Sequence, residues 1–328
     1  MTDLSLDAVD HAFETAVRGR LDAIEALLQD TAAAQTAFVT DAAQHLLNAG
    51  GKRFRPLLVV LASQLHEGAD ASAIDRAAVV MELTHVASLY HDDVMDEAQV
   101  RRGVPSANSR WDNTVAIMVG DFLFARASST VATLGTEYVY LQAETFARLV
   151  QGQIAETRGA QPGDDPLEHY LGVIADKTGS LIAASARFGG MVCGSSPEVL
   201  DALAAYGEEV GAVFQLSDDL LDIDSDSSGK RPGTDLREGV ATLPVLMLRR
   251  NAEACDARLL DLTSRPLTDE DEVAEALALL RAHPVMDAAR AEVARRADLA
   301  KAHLAVLPQG PARAGLEALC DQVANRSR

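Results

Sequence analysis

A helical period runs through almost the whole chain and limits it to one class of fold. Leu6, Val9, Phe13, Val17, Leu21, Ile24 and Leu28 recur at steps of three and four, with Asp, Glu and Arg between them, as on an amphipathic helix. A second run, from Phe38 to Leu47, stops at Gly50-Gly51, and Pro56 stands where a first-turn proline belongs, ahead of Leu57 to Leu61. Further periodic stretches cover 72–97, 112–133, 137–158, 166–192, 198–223 and 242–262, and 269–325 reads as two or three more helices. Strictly alternating β-branched runs and Asn-Gly hairpin signals are missing, and Gly and Pro cluster between the runs. With no internal repeat and no linker-like change in composition, residues 1–328 read as a single all-α domain.

Charge narrows the function. The chain has 49 Asp and Glu against 29 Lys and Arg, a formal balance of −20, which argues against binding nucleic acid. With 48% hydrophobic and 24% charged residues it is composed as a folded globular protein. Cys193, Cys255 and Cys320 are too few and too far apart for a disulfide framework or a zinc site, so a reducing, cytoplasmic location is expected. The first ten residues lack a basic start and an apolar core, so no signal peptide is expected. No apolar run reaches the roughly 20 residues that span a bilayer, so no transmembrane segment is expected.

Two acidic clusters share the spacing Asp-Asp-x-x-Asp: His91-Asp92-Asp93-Val94-Met95-Asp96 and Ser217-Asp218-Asp219-Leu220-Leu221-Asp222. On a helix Asp92 pairs with Asp96, and Asp218 with Asp222, on one face. Asp93 and Asp219 turn about 100° away, which suits them to a supporting shell or a partner side chain. Both clusters end largely apolar runs, and carboxylates in such surroundings need a compensating cation. All-oxygen ligands select a hard ion, and Mg2+ shares one or two carboxylates with a substrate phosphate. A calcium loop beginning at Asp222 fails, because its sixth and twelfth positions hold Ser227 and Gly233 instead of Gly and Glu. Gly229-Lys230-Arg231 lacks the upstream glycine of a P-loop.

In so acidic a chain, concentrated positive charge is informative. Gly51-Lys52-Arg53-Phe54-Arg55-Pro56 precedes a helix and can hold an anion. Arg101-Arg102-Gly103, Lys177-Thr178-Gly179 and Gly229-Lys230-Arg231-Pro232-Gly233 complete the set. Together with two carboxylate faces they point to two polyanionic substrates, one bridged by metal and the other held by Lys and Arg.

The ordered set resembles the trans-isoprenyl diphosphate (polyprenyl) synthases from about residue 50 to 250. It comprises Gly-Gly-Lys-Arg-Phe-Arg-Pro (50–56), His-Asp-Asp-Val-Met-Asp (91–96) with Arg-Arg-Gly-Val-Pro (101–105), and Gly-Asp-Phe-Leu-Phe-Ala (120–125). Lys-Thr-Gly (177–179), Phe-Gln-Leu-Ser-Asp-Asp-Leu-Leu-Asp (214–222) and Gly-Lys-Arg-Pro-Gly-Thr-Asp-Leu-Arg-Glu-Gly (229–239) follow. The resemblance implies antiparallel helices around a deep central cavity and a homodimer. It implies that Asp92, Asp96 and Asp218 bind about three Mg2+ ions around an allylic diphosphate, supported by Asp93, Asp219 and Asp222. By the same match Arg101, Lys177 and Lys230 contact the allylic diphosphate, while Lys52, Arg55, His85 and Arg102 hold isopentenyl diphosphate. Thr178 and Gln215 match positions lining the reacting centre. Two departures stand out: Val240 where many relatives carry Lys, and Asp112 after Trp111 where Gly is common.

Product length is expected to follow from the residues before the first cluster. In the family a bulky aromatic pair one turn below the first Asp closes short cavities; here Ala87 and Ser88 are small, and Thr84 lies a turn further. Each turn opens ~5.4 Å, about one isoprene unit, so a long chain of roughly 30–50 carbons, of the kind used in quinone side chains, is expected. A short-chain synthase is the alternative, with Met81, Phe122 or Phe146 closing the cavity. A terpene cyclase lines its pocket with aromatics, and 8 Phe, 5 Tyr and 1 Trp are a meagre supply. A non-catalytic subunit would have eroded motifs, whereas both clusters are intact.

Overall fold

A computed structural model describes residues 10–224 and 232–327. In chain order its helices are α1 (His11–Ala32), α2 (Ala37–Asn48), α3 (Phe54–Ser63), α4 (Ala71–Met95), α5 (Ala107–Arg110), α6 (Asn113–Val131), α7 (Thr136–Arg158) and α8 (Pro166–Ile174). A π-helical segment, Ala175–Gly179, follows. Then come α9 (Ser180–Val192), α10 (Pro197–Asp224), α11 (Thr234–Glu238), α12 (Leu243–Arg250), α13 (Ala257–Leu262), α14 (Glu270–Ala282), α15 (Val285–His303) and α16 (Pro311–Ala324). The all-α expectation holds. Of the first apolar run, Leu6 and Val9 lie outside the described residues.

The chain forms two compact units, each discontinuous in sequence. The first comprises 1–147, 181–207 and 304–318. Its centre is α4, which packs against α1, α3 and α6. Every residue from Ala77 to Thr84 is buried, as on a helix surrounded by others. Asp70 starts α4 by accepting from the Ser72 and Ala73 amides, a cap that contributes about 1 kcal/mol. Close approach is set by small residues. A Cβ on Gly189 of α9 would lie 2.4 Å from the Val59 carbonyl of α3, and one on Gly120 of α6 would lie 2.3 Å from the His91 ring. Asp112, one of the two departures, caps α6 through the Val115 amide at 2.8 Å.

By length and composition α6 is the one described helix that could cross a bilayer. It nevertheless carries Asp121 and Arg126, buries Ala116, Val119, Leu123 and Ala127, and ties Arg126 Nε to the Thr31 carbonyl.

The second unit comprises 148–180, 208–303 and 319–328. Here α12 packs on α8 and α15, and α14 on α13 and α15. Leu243, Leu248, Val273, Leu280, Met286 and Val293 fill its core.

Local differences from the sequence reading have physical causes. The stretch 242–262 is two helices, interrupted where Asn251 ends α12. The stretch 166–192 is broken by the π-helical segment, which hydrophobic periodicity does not register. A hairpin was not expected, yet Val100–Arg101 and Val104–Pro105 pair antiparallel. Its turn residues Arg102 and Gly103 have φ of +53° and +78°, as a type I′ turn requires. A ladder of two residues is too short for alternation to reveal.

Candidate active site

In the first unit the Asp92 cluster closes the C-terminal turn of α4, and Asp96 is its last cap. Asp92 is half-buried and Asp96 exposed, one turn apart on one face. Asp93 faces inward. It is fully buried, with Arg101 Nε 2.6 Å from its Oδ1, while its Oδ2 has no hydrogen-bond partner. Burial raises the Asp93 pKa, and the Arg101 guanidinium acts in the opposite direction. The hairpin sends its two arginines apart. Arg101 goes to Asp93, and Arg102 donates to the carbonyls of Leu46, at 2.8 Å, and Gly50.

The Gly50–Arg55 loop lies beside Arg102. Gly51 has φ of +150°, and a Cβ there would meet Arg53 Nη1 at 2.7 Å and Arg102 Nη1 at 3.0 Å. Arg55 is half-exposed, yet its Nε is buried without a partner; desolvation pulls its pKa down to about 10. Lys52 is exposed. His85 is held well below its usual pKa by burial, then by the fields of Arg55, Arg102, Arg101 and Arg53. It is therefore a neutral imidazole among four cations. Glu82, buried on α4, supplies the balancing negative charge: Arg53 Nη1 lies 3.2 Å from it, and Arg53 also forks onto Glu25 at 2.6 and 2.9 Å.

Glu82 was not among the expected site residues, and Arg53 was named only within the basic motif, with no role of its own. Arg53 adopts φ of +47°, so the backbone turns its guanidinium inward while Lys52 stays exposed. Residue type alone does not separate adjacent cations in this way.

Below the Asp92 cluster, Thr84, Ala87 and Ser88 are all buried. Thr84 Oγ1 donates to the Val80 carbonyl and accepts from buried Gln142 at 3.2 Å. Tyr90 turns away from its chain neighbour His91. It is fully buried, donating to the Ala42 carbonyl and accepting from the Leu46 amide. His91 lies over Gly120, its Nε2 3.1 Å from the Ile117 carbonyl.

In the second unit the Asp218 cluster occupies the C-terminal end of α10. Asp219 is buried and accepts from the Tyr170 hydroxyl, the Leu243 amide at 3.2 Å and Gln215 Nε2 at 3.5 Å. Burial pushes its pKa up to about 6 against those donors. Asp222 receives the Thr234 and Asp235 amides on its two carboxylate oxygens, so it also organises the start of α11. Asp218 and Gln215 are half-buried. Lys177 and Thr178 sit in the π-helical segment, with the Lys177 ammonium on Glu156. Lys230 lies outside the described residues. Tyr170 was not foreseen; nothing around it in sequence distinguishes it from a core tyrosine.

The donor set fits a hard divalent ion that carries its own phosphate ligand. Each cluster supplies carboxylate oxygens a turn apart, and Asp93 keeps a buried oxygen without a partner. Among the described residues no three acidic, His or Cys side chains gather to enclose an ion unaided.

Fold and side chains together define an all-α prenyltransferase. The family model for polyprenyl synthetase matches residues 36–280, and the chain belongs to that family. It is 49% identical over 323 residues to the nonaprenyl diphosphate synthase of Mycobacterium tuberculosis, covering 98% of this chain and 96% of that one. A geranylgeranyl pyrophosphate synthase from Corynebacterium glutamicum, solved with calcium and isoprenyl diphosphate, superposes with a TM-score of 0.87 at 44% identity over 97% of this chain and 98% of the other. A decaprenyl diphosphate synthase from Rhodobacter capsulatus gives 0.85 at 33% identity, covering 96% and 98%. The fold is that of the isoprenoid synthases.

Proposed function

We propose that this enzyme condenses isopentenyl diphosphate head-to-tail onto an allylic diphosphate and makes a long all-trans chain of roughly 30–50 carbons, the kind used as a quinone side chain. The observation that carries the chain length is the wall of α4. In the two turns beneath Asp92, the buried side chains Ser88, Ala87 and Thr84 are all small. The nonaprenyl relative supports the same length. The geranylgeranyl relative favours the short-chain alternative, which requires a bulky floor.

Asp92, Asp96 and Asp218 would hold about three Mg2+ ions, with Asp93, Asp219 and Asp222 supporting them. Bound there, the metal neutralises charge growing on the diphosphate leaving group. Arg101, Lys177 and Lys230 add cationic contacts to that group. Lys52, Arg55, Arg102 and neutral His85 hold isopentenyl diphosphate. The allylic C1–O bond breaks to give an allylic cation and diphosphate, and the isopentenyl double bond attacks that C1. The isopentenyl unit then loses a proton from its own C2 to the released diphosphate. Thr178 and Gln215 present oxygens that stabilise the cation without capturing it.

Residues 1–328 are read as a single all-α domain, in keeping with a sequence that has no internal repeat and no linker-like change in composition. A second copy of the chain covers the apolar side of α6, where Ile117 and Met118 are exposed. The enzyme is cytoplasmic, in keeping with three cysteines that are all free.

Mg2+-dependent turnover of labelled isopentenyl diphosphate tests the chemistry. Asp92→Ala is expected to lower kcat on the order of 100-fold. Near-normal turnover by that variant, or by wild type in EDTA, contradicts the metal assignment.

A further inference from the structure

Lys177 and Thr178 lie in a five-residue π-helical segment, a rare geometry found mostly at functional sites. Two helices hold it. On α7, Arg148, Gly152 and Glu156 form one stripe at i, i+4 and i+8. Arg148 Nε and Nη2 lie 3.0 and 2.9 Å from Asp176 Oδ1, and Nη2 lies 3.4 Å from the Ala175 carbonyl. Gly152 meets the segment's backbone so closely that a Cβ there would come within 2.6 Å of the Lys177 nitrogen. Glu156 takes the Lys177 ammonium.

From α10, Glu208 Oε1 accepts from Arg148 Nη1 at 2.6 Å. A Cβ on Gly211 would lie 2.6 Å from Gly179 Cα, and one on Gly179 would lie 2.9 Å from Glu208 Oε2. The same stripe of α10 runs on through Gln215 to Asp219.

We propose that Arg148 is a positioning residue, clasping Asp176 and Glu208 so that the π-helical segment presents Lys177 and Thr178 to the allylic diphosphate. This rests on the reading of Lys177 as a ligand of that diphosphate. A lone ion pair as exposed as this one contributes little. A planar guanidinium fork engaging one carboxylate on the segment, a carbonyl at its start and a second carboxylate on α10 fixes geometry, which an ammonium cannot reproduce.

The test is steady-state kinetics on the full chain with each substrate varied. Arg148→Ala and Arg148→Lys are each expected to lower kcat about tenfold and raise KM for the allylic diphosphate. KM for isopentenyl diphosphate should stay within about twofold and Tm within a few degrees. Adding Asp176→Ala to Arg148→Ala should cost little more, because the two act as one unit.

Wild-type kinetics in Arg148→Ala overturn the proposal, and so does full activity in Arg148→Lys, which would reduce the role to charge. A parallel rise in both KM values with a lowered Tm overturns it too, as general loosening. Lys177→Ala separates the two readings. If it is silent, the assignment of Lys177 fails and this proposal with it. If it is impaired while Arg148→Ala is silent, the clasp alone fails.

Discussion

Arg101 Nε lies 2.6 Å from Oδ1 of Asp93, a carboxylate with no exposure to solvent. The pair joins the hairpin to the last turn of α4, so the arginine that follows the first Asp cluster also anchors it. Removing the guanidinium strands a buried carboxylate. Arg101 is partly exposed, and water recovers some of the loss, so Arg101→Ala is expected to cost about 1–3 kcal/mol in urea unfolding. Asp93→Asn in the same chain should restore part of it. A loss under about 0.5 kcal/mol would mean that the pair is well solvated.

His85 should remain neutral as the pH falls through the ordinary histidine range. Its folded pKa is depressed, so below about 6.5 the unfolded chain binds a proton that the native chain refuses. Stability from this residue is complete above the unfolded pKa and declines as pH drops beneath it. The His85 ring resonances should not titrate between pH 8 and 6, and His85→Gln should flatten the acid side of the stability curve. A titration midpoint near 6.5 would show that the surrounding arginines are screened.

The three thiols should differ in reactivity. Cys320 is buried, and desolvation pushes its pKa up to about 12; Cys255 is exposed, with Asp256 raising its pKa. A disulfide reagent at pH 8 should modify Cys255 without touching Cys320, which reacts only on unfolding. Rapid modification of all three in the native protein would contradict the packing of α16 on α15, where Cys320 faces the Ala297 carbonyl.

Ala87→Phe should shorten the product. The ring replaces a small buried side chain one turn below Asp92, and each turn closed to the growing chain corresponds to about one isoprene unit. Mass spectrometry of the extracted prenols measures it. An unchanged distribution would place the floor elsewhere, for example at the Phe124–Phe146 contact, whose ring centroids are 4.2 Å apart.

Most of the helices and both Asp clusters were legible because periodicity and i, i+4 spacing are properties of the chain itself. So was the inward turn of Asp93 and Asp219, which follows from 3.6 residues per turn. What each inward carboxylate meets was not legible. Arg101 reaches Asp93 through a two-residue hairpin, and Tyr170 reaches Asp219 from a helix 49 positions away. The π-helical segment escaped because it is only five residues long, too short for a change of period to show within a longer apolar run. The division of labour between Arg53, turned inward, and exposed Lys52 rests on a left-handed backbone that residue type does not announce.

The most direct measurement is the chain length made by the purified protein from labelled isopentenyl diphosphate, farnesyl diphosphate and Mg2+. A small-residue wall beneath Asp92 removes the floor that would stop growth close to the primer, so products of roughly 30–50 carbons are expected. Products that stop at roughly 15–20 carbons, with no longer species at any substrate ratio, would contradict it.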